Sequence, residues 1–165
     1  MSSPAPAVAP HLSERETHLA RVPFFEGLTP EGLALVVKAT TEEVHAAGET
    51  IVRTGETAEK LFIILDGQVR ISRDLAGTGE DTLAMLGAGD FFGDMSLVDP
   101  APSSAGAHAH ERCRLLVITK EKFDDLLFLH KDLAYEVLWS CVRILTARLR
   151  EANDRDSSSP TIGRI

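Results

Sequence analysis

The first candidate for a ligand-binding segment is the glycine-rich run LGAGDFFGDMSL, from Leu86 to Leu97. Glycine adopts positive φ without strain and lets backbone N–H groups approach a ligand closely. A turn from a strand into a helix also favours an anion, because the first N–H groups of a helix have no partner within it. Turn geometry alone would explain Gly87, Gly89 and Gly93 equally well. The run therefore indicates an anion site when it forms part of a longer pattern.

His108 and His110 form a second candidate, because alternate residues of a strand lie on the same face. Two strand histidines bind a metal in cupins, which are β-roll metal enzymes, when a third histidine and a carboxylate complete the site. Here Glu111 follows immediately rather than several residues later, and no second segment of that type lies downstream. Solvent-facing histidines are the favoured interpretation, and a cupin-like metal protein stays open as an alternative.

Neither the cysteines nor any catalytic motif points to an enzyme. Cys113 and Cys141 are too few for a disulfide scaffold or a four-thiolate metal site. Both lie in apolar stretches, which predicts reduced, buried thiols. The sequence contains no Ser-His-Asp arrangement, nucleophile elbow or P-loop. We therefore expect a binding protein with no enzymatic activity and no bound cofactor or metal.

The composition is that of a single acidic domain. Of the 165 residues, 44% are apolar and 25% are charged, and the net charge is -8. A chain of this length supports one hydrophobic core. No apolar run approaches the roughly 20 residues of a membrane helix, so we expect a soluble, cytoplasmic protein without a membrane partner. An acidic surface repels a phosphate backbone, which argues against direct binding of nucleic acid.

The folded unit is predicted over residues 13–154. Residues 1–12 are rich in proline and alanine, and residues 155–165 are rich in serine. Such segments have little to pack, so both are predicted to be disordered tails.

Helices are predicted at both ends of the folded unit. Ser13 begins a capping box, and Thr29 followed by Pro30 is typical of the start of a second short helix. After the strands, residues 121–128 have a helical pattern, and Asp132 is predicted to cap a longer helix.

The long helix is predicted to hold a homodimer together. Its apolar stripe is wider than packing against a single surface requires, so the helix can pack on its own domain and on a second copy. Burial of one wide face within the monomer is the alternative. The residues assigned to the dimer helix are Val137, Leu138, Cys141, Ile144, Leu145 and Leu149.

Residues 42–119 change to a period of two, with short runs of branched residues separated by glycines. Asp66-Gly67 between two such runs is a strong hairpin signal. Many short strands with turns between them favour a mainly β fold. We predict an eight-stranded β-roll, a jelly-roll-like barrel, with short N-terminal helices and a long C-terminal helix.

Several motifs occur together in a fixed order between Leu19 and Asn153. They are VPFFEGL at 22–28, LDGQV at 65–69, GDFFGDMSL at 89–97, PSSA at 102–105 and CRLLVI at 113–118. This pattern resembles the cyclic-nucleotide-binding domain of bacterial catabolite-activator-type regulators, kinase regulatory subunits and gated channels. The resemblance implies the β-roll fold and a phosphate-binding cassette after the Phe-Gly turn.

The family cassette reads Phe-Gly-Glu and, further on, Pro-Arg-Ser/Ala-Ala. By the resemblance, Phe92 and Gly93 match the turn, and the backbone N–H groups near Met95 and Ser96 would face the phosphate. Asp94 takes the place of the glutamate that holds the ribose hydroxyl. It is one methylene shorter than that glutamate.

The second half of the cassette departs from the family. Ser103 stands where the family has its phosphate-binding arginine, Ser104 matches the small residue beside the phosphate, and Ala105 completes the motif. A serine hydroxyl cannot reproduce the charge-assisted, two-pronged hydrogen bonding of a guanidinium. The resemblance therefore implies a degenerate pocket.

The expected function is that of a stand-alone regulatory module that acts through contacts with an unidentified partner protein and binds cyclic nucleotides weakly or not at all. The alternative is a genuine sensor of cyclic AMP, cyclic GMP or another cyclic nucleotide, which would hold the phosphate through backbone N–H groups and Ser103 and Ser104. In catabolite-activator-type regulators a helix-turn-helix follows the long helix, whereas in this sequence the serine-rich residues 155–165 follow it. We therefore do not expect a stand-alone transcription factor.

Overall fold

Helices flank a β-sheet region in a computed structural model that describes residues 11–157. Helix α1 (Glu14–Ala20), a short 3₁₀ helix (Pro23–Phe25) and helix α2 (Pro30–Lys38) come first. The strands are β1 (Thr41–His45), β2 (Thr50–Val52), β3 (Lys60–Asp66), β4 (Val69–Leu75), β5 (Gly79–Leu86), β6 (Phe91–Phe92), β7 (Gly106–Ala109) and β8 (Cys113–Thr119). A second 3₁₀ helix (Asp94–Leu97) separates β6 from β7, and helices α3 (Lys120–Leu129) and α4 (Lys131–Ser157) follow the strands.

The first helix begins as its sequence predicts. The Ser13 hydroxyl accepts the Glu16 N–H at 3.3 Å, and the Glu16 carboxylate accepts the Ser13 N–H at 2.7 Å. This is a complete capping box. Thr29 caps α2 in a similar way, since its hydroxyl accepts the Gly32 N–H at 3.1 Å.

Asp132 is not the cap that its sequence context predicts. Helix α4 begins at Lys131, and the Ala134 N–H donates to the His130 carbonyl at 2.9 Å. Asp132 therefore lies in the first turn of α4, where a carboxylate favours the positive end of the helix dipole. The predicted tails, 1–12 and 155–165, lie mostly outside the described residues, within which α4 continues to Ser157.

The eight strands form two antiparallel four-stranded sheets, ordered β1-β8-β3-β6 and β2-β7-β4-β5. The sheets face each other across a shared hydrophobic cluster and are not closed into one barrel. This confirms the predicted β-roll with flanking helices and a long C-terminal helix.

The predicted hairpin at Asp66-Gly67 is wrong. Strand β3 ends at Asp66 in the first sheet, and β4 belongs to the second sheet, so this turn carries the chain between sheets. Gly67 has φ 91°, and a Cβ there would overlap the Arg112 carbonyl oxygen. Glycine is needed here because another backbone segment lies against the turn.

Strands β3 and β8 are buried on both faces, which explains why each reads as an unbroken apolar run. Their alternate side chains enter two different clusters. The cluster between the sheets contains Val52, Phe62, Ile64, Val69, Ala107, Ala109, Cys113, Leu115 and Val117. The cluster between the first sheet and the helices includes Leu19, Phe24, Phe25, Leu61, Ile63, Leu65, Leu116, Ile118, Phe123, Leu133, Val137 and Cys141.

Candidate ligand-binding site

The candidate cassette begins at Gly93, directly after β6. Gly93 has φ 81°, and a Cβ there would overlap the carbonyl oxygen of Lys60 on β3. Glycine is the residue that meets both conditions at low cost. Phe92 stacks on Phe62 of β3, with ring centroids 4.8 Å apart. Strand β3 therefore determines where the turn lies.

Ser96, on the 3₁₀ helix after this turn, is tied to the backbone around it. Its hydroxyl donates to the Gly93 carbonyl at 2.7 Å and lies 3.1 Å from the Lys60 carbonyl. Its backbone N–H also donates to the Gly93 carbonyl, at 3.2 Å. The Ser96 N–H is therefore engaged within the turn in this structure, and the expectation that it faces a phosphate stays a prediction.

Ser103 is fixed by the loop that joins β2 to β3. Its N–H donates to the Glu56 carbonyl at 2.9 Å, and its carbonyl accepts the Gly55 N–H at 2.7 Å. The Ser103 hydroxyl donates to the Ala105 carbonyl at 2.6 Å. Ser103 is thus held in place, and its one hydroxyl proton points at the backbone.

These segments enclose a cavity of about 360 Å³, a size usual for small-molecule sites. All eight residues that the sequence assigns to the cassette line it: Phe92, Gly93, Asp94, Met95, Ser96, Ser103, Ser104 and Ala105. Further lining residues, which sequence reasoning missed, include Val52, Glu56, Ala58, Lys60, Phe62, Ile71, Asp99 and Ala107. They come from other strands and loops, and no local motif marks them.

The charge of the lining is predominantly negative. Glu56, Asp94 and Asp99 contribute carboxylates, and Lys60 is the cationic residue among them. The Lys60 ammonium lies 3.4 Å from a carboxylate oxygen of Glu43, outside the lining. No arginine is among the described residues that line the cavity.

Asp94 also connects the cavity with helix α4. Its carboxylate accepts a hydrogen bond from the Arg148 guanidinium at 2.9 Å, and the Asp94 side chain is 16% exposed. Nearby on α4, burial raises the pKa of the Cys141 thiol, and the negative charge of Asp94 acts in the same direction. Cys141 therefore stays protonated at neutral pH.

Helix α4 has two distinct apolar faces. One face packs into the core through Leu133, Val137 and Cys141. The other, which we call the α4 seam, consists of side chains between 48% and 62% exposed: Tyr135, Leu138, Val142, Leu145 and Leu149. Among residues 11–157 no helix, α4 included, combines the length and the apolar character that crossing a bilayer requires.

His108 and His110 do not form a metal pair. His108 lies on β7, with Nδ1 3.2 Å from the Thr50 hydroxyl and Nε2 3.6 Å from a Glu80 carboxylate oxygen, whereas His110 lies beyond the strand. Within the described part of the chain, no group of three or more His, Cys, Asp or Glu side chains could hold a metal ion.

A larger cavity, of about 630 Å³, lies between α2 and the α3–α4 junction. It contains none of the cassette residues. The smaller cavity is the candidate site, because the turn at Gly93 and the Ser103 loop converge there.

Two facing antiparallel sheets, a pocket at a Phe-Gly turn and a long C-terminal helix define a ligand-binding β-roll domain. Residues 42–130 match the family model described as "Cyclic nucleotide-binding domain". The chain therefore belongs to the cyclic-nucleotide-binding domain family, as its motifs predict.

Known proteins agree with this assignment. The chain is 37% identical over 131 residues to the "Cyclic AMP receptor protein" of Thermus thermophilus, an alignment that covers 79% of this chain and 59% of the relative. The N-terminal domain of a transcriptional regulator from Streptomyces coelicolor superposes with a TM-score of 0.77 at 27% identity, covering 88% of this chain and 99% of that one. A cyclic nucleotide-binding domain from Methylobacillus flagellatus gives a TM-score of 0.70 at 26% identity, covering 92% and 85% of the two chains. The chain thus spans about three fifths of the length of the cyclic AMP receptor relative.

Proposed function

We propose that this chain is a regulatory domain that has little affinity for cyclic nucleotides and acts through protein contacts made by α4. The observation that carries the proposal is Ser103. It occupies the position of the family's phosphate arginine, and its hydroxyl proton is directed to the Ala105 carbonyl at 2.6 Å. A cyclic phosphate placed there would meet oxygen lone pairs instead of a guanidinium.

The energetic effect of this substitution is large. A hydrogen bond to a charged group contributes about 1.5–3 kcal/mol, and about 1.4 kcal/mol changes affinity tenfold. Loss of a two-pronged guanidinium contact therefore lowers affinity by about one to several powers of ten. The Glu56 and Asp99 carboxylates in the lining act in the same direction, because they repel an anion, whereas the charge of Asp94 is paired with Arg148.

A genuine cyclic-nucleotide sensor is the second candidate. It is favoured by the 37% identity to a protein named for binding cyclic AMP and by a cavity of about 360 Å³ that Met95 lines without filling. In that case backbone N–H groups and the exposed Ser104 would hold the phosphate. Titration calorimetry with cyclic AMP and cyclic GMP separates the two, because the first predicts no binding below about millimolar concentration and the second predicts clear saturation.

A second copy of the chain is the partner that best fits the α4 seam. Successive seam residues are separated by 3, 4, 3 and 4 positions, which is the spacing of the contact positions in a coiled coil. The same row on two copies would match itself about a twofold axis. Of the residues first assigned to the dimer helix, Val137 and Cys141 are 0% and 6% exposed in the monomer core, so the seam is carried by the exposed row.

The link between Asp94 and Arg148 supports a regulatory role. Asp94 lines the cavity, and Arg148 lies on α4 beside the seam residue Leu149. A ligand or partner that draws Asp94 away from Arg148 breaks a hydrogen bond that holds this part of α4 against the cavity. The two surfaces are thereby coupled, and by linkage the effect is reciprocal.

The proposal describes a binding domain in a reducing compartment. The relatives are named as receptors and regulators, and both cysteines are free, buried thiols. Free thiols are typical of cytoplasmic proteins. The net charge of -8 disfavours direct contact of this domain with nucleic acid.

A further inference from the structure

Two of the three serine hydroxyls that line the cavity have their protons committed to the backbone. Ser103 donates to the Ala105 carbonyl at 2.6 Å, and Ser96 donates to the Gly93 carbonyl at 2.7 Å. A serine hydroxyl has one hydrogen and two lone pairs. Both side chains therefore present acceptors to a ligand, at the end of the cavity where a phosphate would lie.

Three of the four charged groups of the lining are hydrogen-bond acceptors as well. Glu56, Asp94 and Asp99 are acceptors when ionised. The Lys60 ammonium is directed toward Glu43 at 3.4 Å. A phosphate is itself an acceptor and an anion, so its oxygens would find few side-chain donors on these walls. A ligand that brings its own O–H or N–H donors would be matched.

The remaining walls are apolar and suit a flat ring. Phe92 and Phe62 lie stacked at one side, and Val52, Ile71 and Ala107 extend the apolar surface. Such walls gain free energy by covering an aromatic ligand, whereas acceptor groups at the polar end fix its orientation.

We infer that this cavity takes an uncharged nucleoside, a ring system with free sugar hydroxyls, in preference to a cyclic nucleotide. The inference rests on the proposed function, namely that the Ser103 position does not support a phosphate. It adds that the cavity still binds a ligand. The hydroxyl groups of that ligand donate hydrogen bonds to the cavity, in place of the ion pair between a phosphate and an arginine. Ser103 and Ser96 accept from those hydroxyls, and the apolar walls cover the ring.

Adenosine and cyclic AMP are the direct test, because they differ in the cyclic phosphate. We expect titration calorimetry of the full chain to give a dissociation constant for adenosine at least about tenfold lower than for cyclic AMP at the same salt concentration. Equal or tighter binding of cyclic AMP would overturn the inference, and clear saturation by cyclic AMP well below about 1 mM would overturn the proposed function as well. Saturation by neither compound up to about 1 mM would overturn the inference and leave the proposed function standing.

Two variants assign the effect to the residues named. Ser103→Ala removes an acceptor, and we expect it to weaken adenosine binding about threefold to tenfold without weakening that of cyclic AMP. Asp99→Asn removes one negative charge from an exposed side chain. We expect it to strengthen cyclic AMP binding and to change adenosine binding less, because asparagine keeps an acceptor oxygen. If both variants changed the two affinities in parallel, the acceptor-lined cavity would not be the cause of selectivity, and the inference would be wrong.

Discussion

Arg148 on the long helix donates a 2.9 Å hydrogen bond to Asp94 at the start of the cassette. The two residues are 54 positions apart in sequence, so the contact joins the ligand cavity to the helix that carries the α4 seam. This pair is a direct contact between the cavity lining and helix α4.

We expect the Asp94–Arg148 pair to give a measurable coupling energy. A double-mutant cycle with Asp94→Asn and Arg148→Gln, followed by urea unfolding, should yield about 0.2–1 kcal/mol, because the Arg148 side chain is 48% exposed. The ion pair between Lys120 and Asp124, within α3, is the matched control. In calorimetry, Arg148→Gln should also alter ligand binding, whereas breaking the control pair should not. A coupling of zero and an unchanged affinity would argue against any link through this contact.

The α4 seam should hold two chains together. We expect light scattering at about 50 µM to show a dimer for the native chain and a folded monomer for Val142→Asp/Leu145→Asp, because both side chains are about half exposed in the single chain. Circular dichroism should show that the double variant keeps its structure.

Val137→Asp is the control for that experiment. Val137 is 0% exposed, so a buried, unpaired carboxylate should unfold the domain rather than only dissociate it. A native chain that stays monomeric at this concentration would contradict the seam assignment.

Gly93→Ala should destabilise the domain more than Gly77→Ala. Both glycines have φ near 80°, at 81° and 80°, so each alanine costs about 1–2 kcal/mol for a left-handed conformation. A Cβ at Gly93 would in addition overlap the Lys60 carbonyl oxygen, whereas at Gly77 nothing lies within 4 Å. Urea unfolding measures the difference, and equal losses would show that the Gly93 turn is not held against β3.

Both cysteines should react slowly while the domain is folded. Burial raises the pKa of the Cys113 and Cys141 thiols, and nearby carboxylates add to the effect. A raised pKa means less thiolate at neutral pH, so alkylation should be slower than in urea-unfolded protein and should accelerate as the pH increases. Rapid labelling of native protein at pH 7 would contradict the buried placement.

The family and the two-sheet fold could be predicted from the sequence because they depend on local spacing. Gly93, for example, lies within the Phe-Gly motif, so its turn could be predicted from the residues next to it in sequence. The sheet change at Asp66-Gly67 could not be predicted, because an Asp-Gly pair specifies a tight turn and not which sheets it joins. Two packing faces of α4 were predicted, but not which residues belong to each, since core residues such as Val137 and seam residues such as Leu138 are equally apolar.

Contacts between segments that are far apart in sequence could not be predicted either. Glu56 enters the cavity because its loop bonds to Ser103, and Arg148 reaches Asp94 from another element. No spacing rule relates these positions. Sequence reasoning selected eight residues that line one cavity, whereas the charges and donors around them could be found only from the fold.

The most direct test of the account is to restore the missing cation. Ser103→Arg should raise the affinity for cyclic AMP by about one to three powers of ten over the native chain in titration calorimetry. Asp94→Glu should add to the gain, because the longer side chain can reach the ribose hydroxyl. Ser104→Arg is the matched control: it adds the same charge one residue away, on an exposed position of the same cavity, and should give a much smaller gain. Native protein that already binds cyclic AMP tightly, or a folded Ser103→Arg variant with no gain over the control, would contradict the central claim that Ser103 is what weakens binding of the cyclic phosphate.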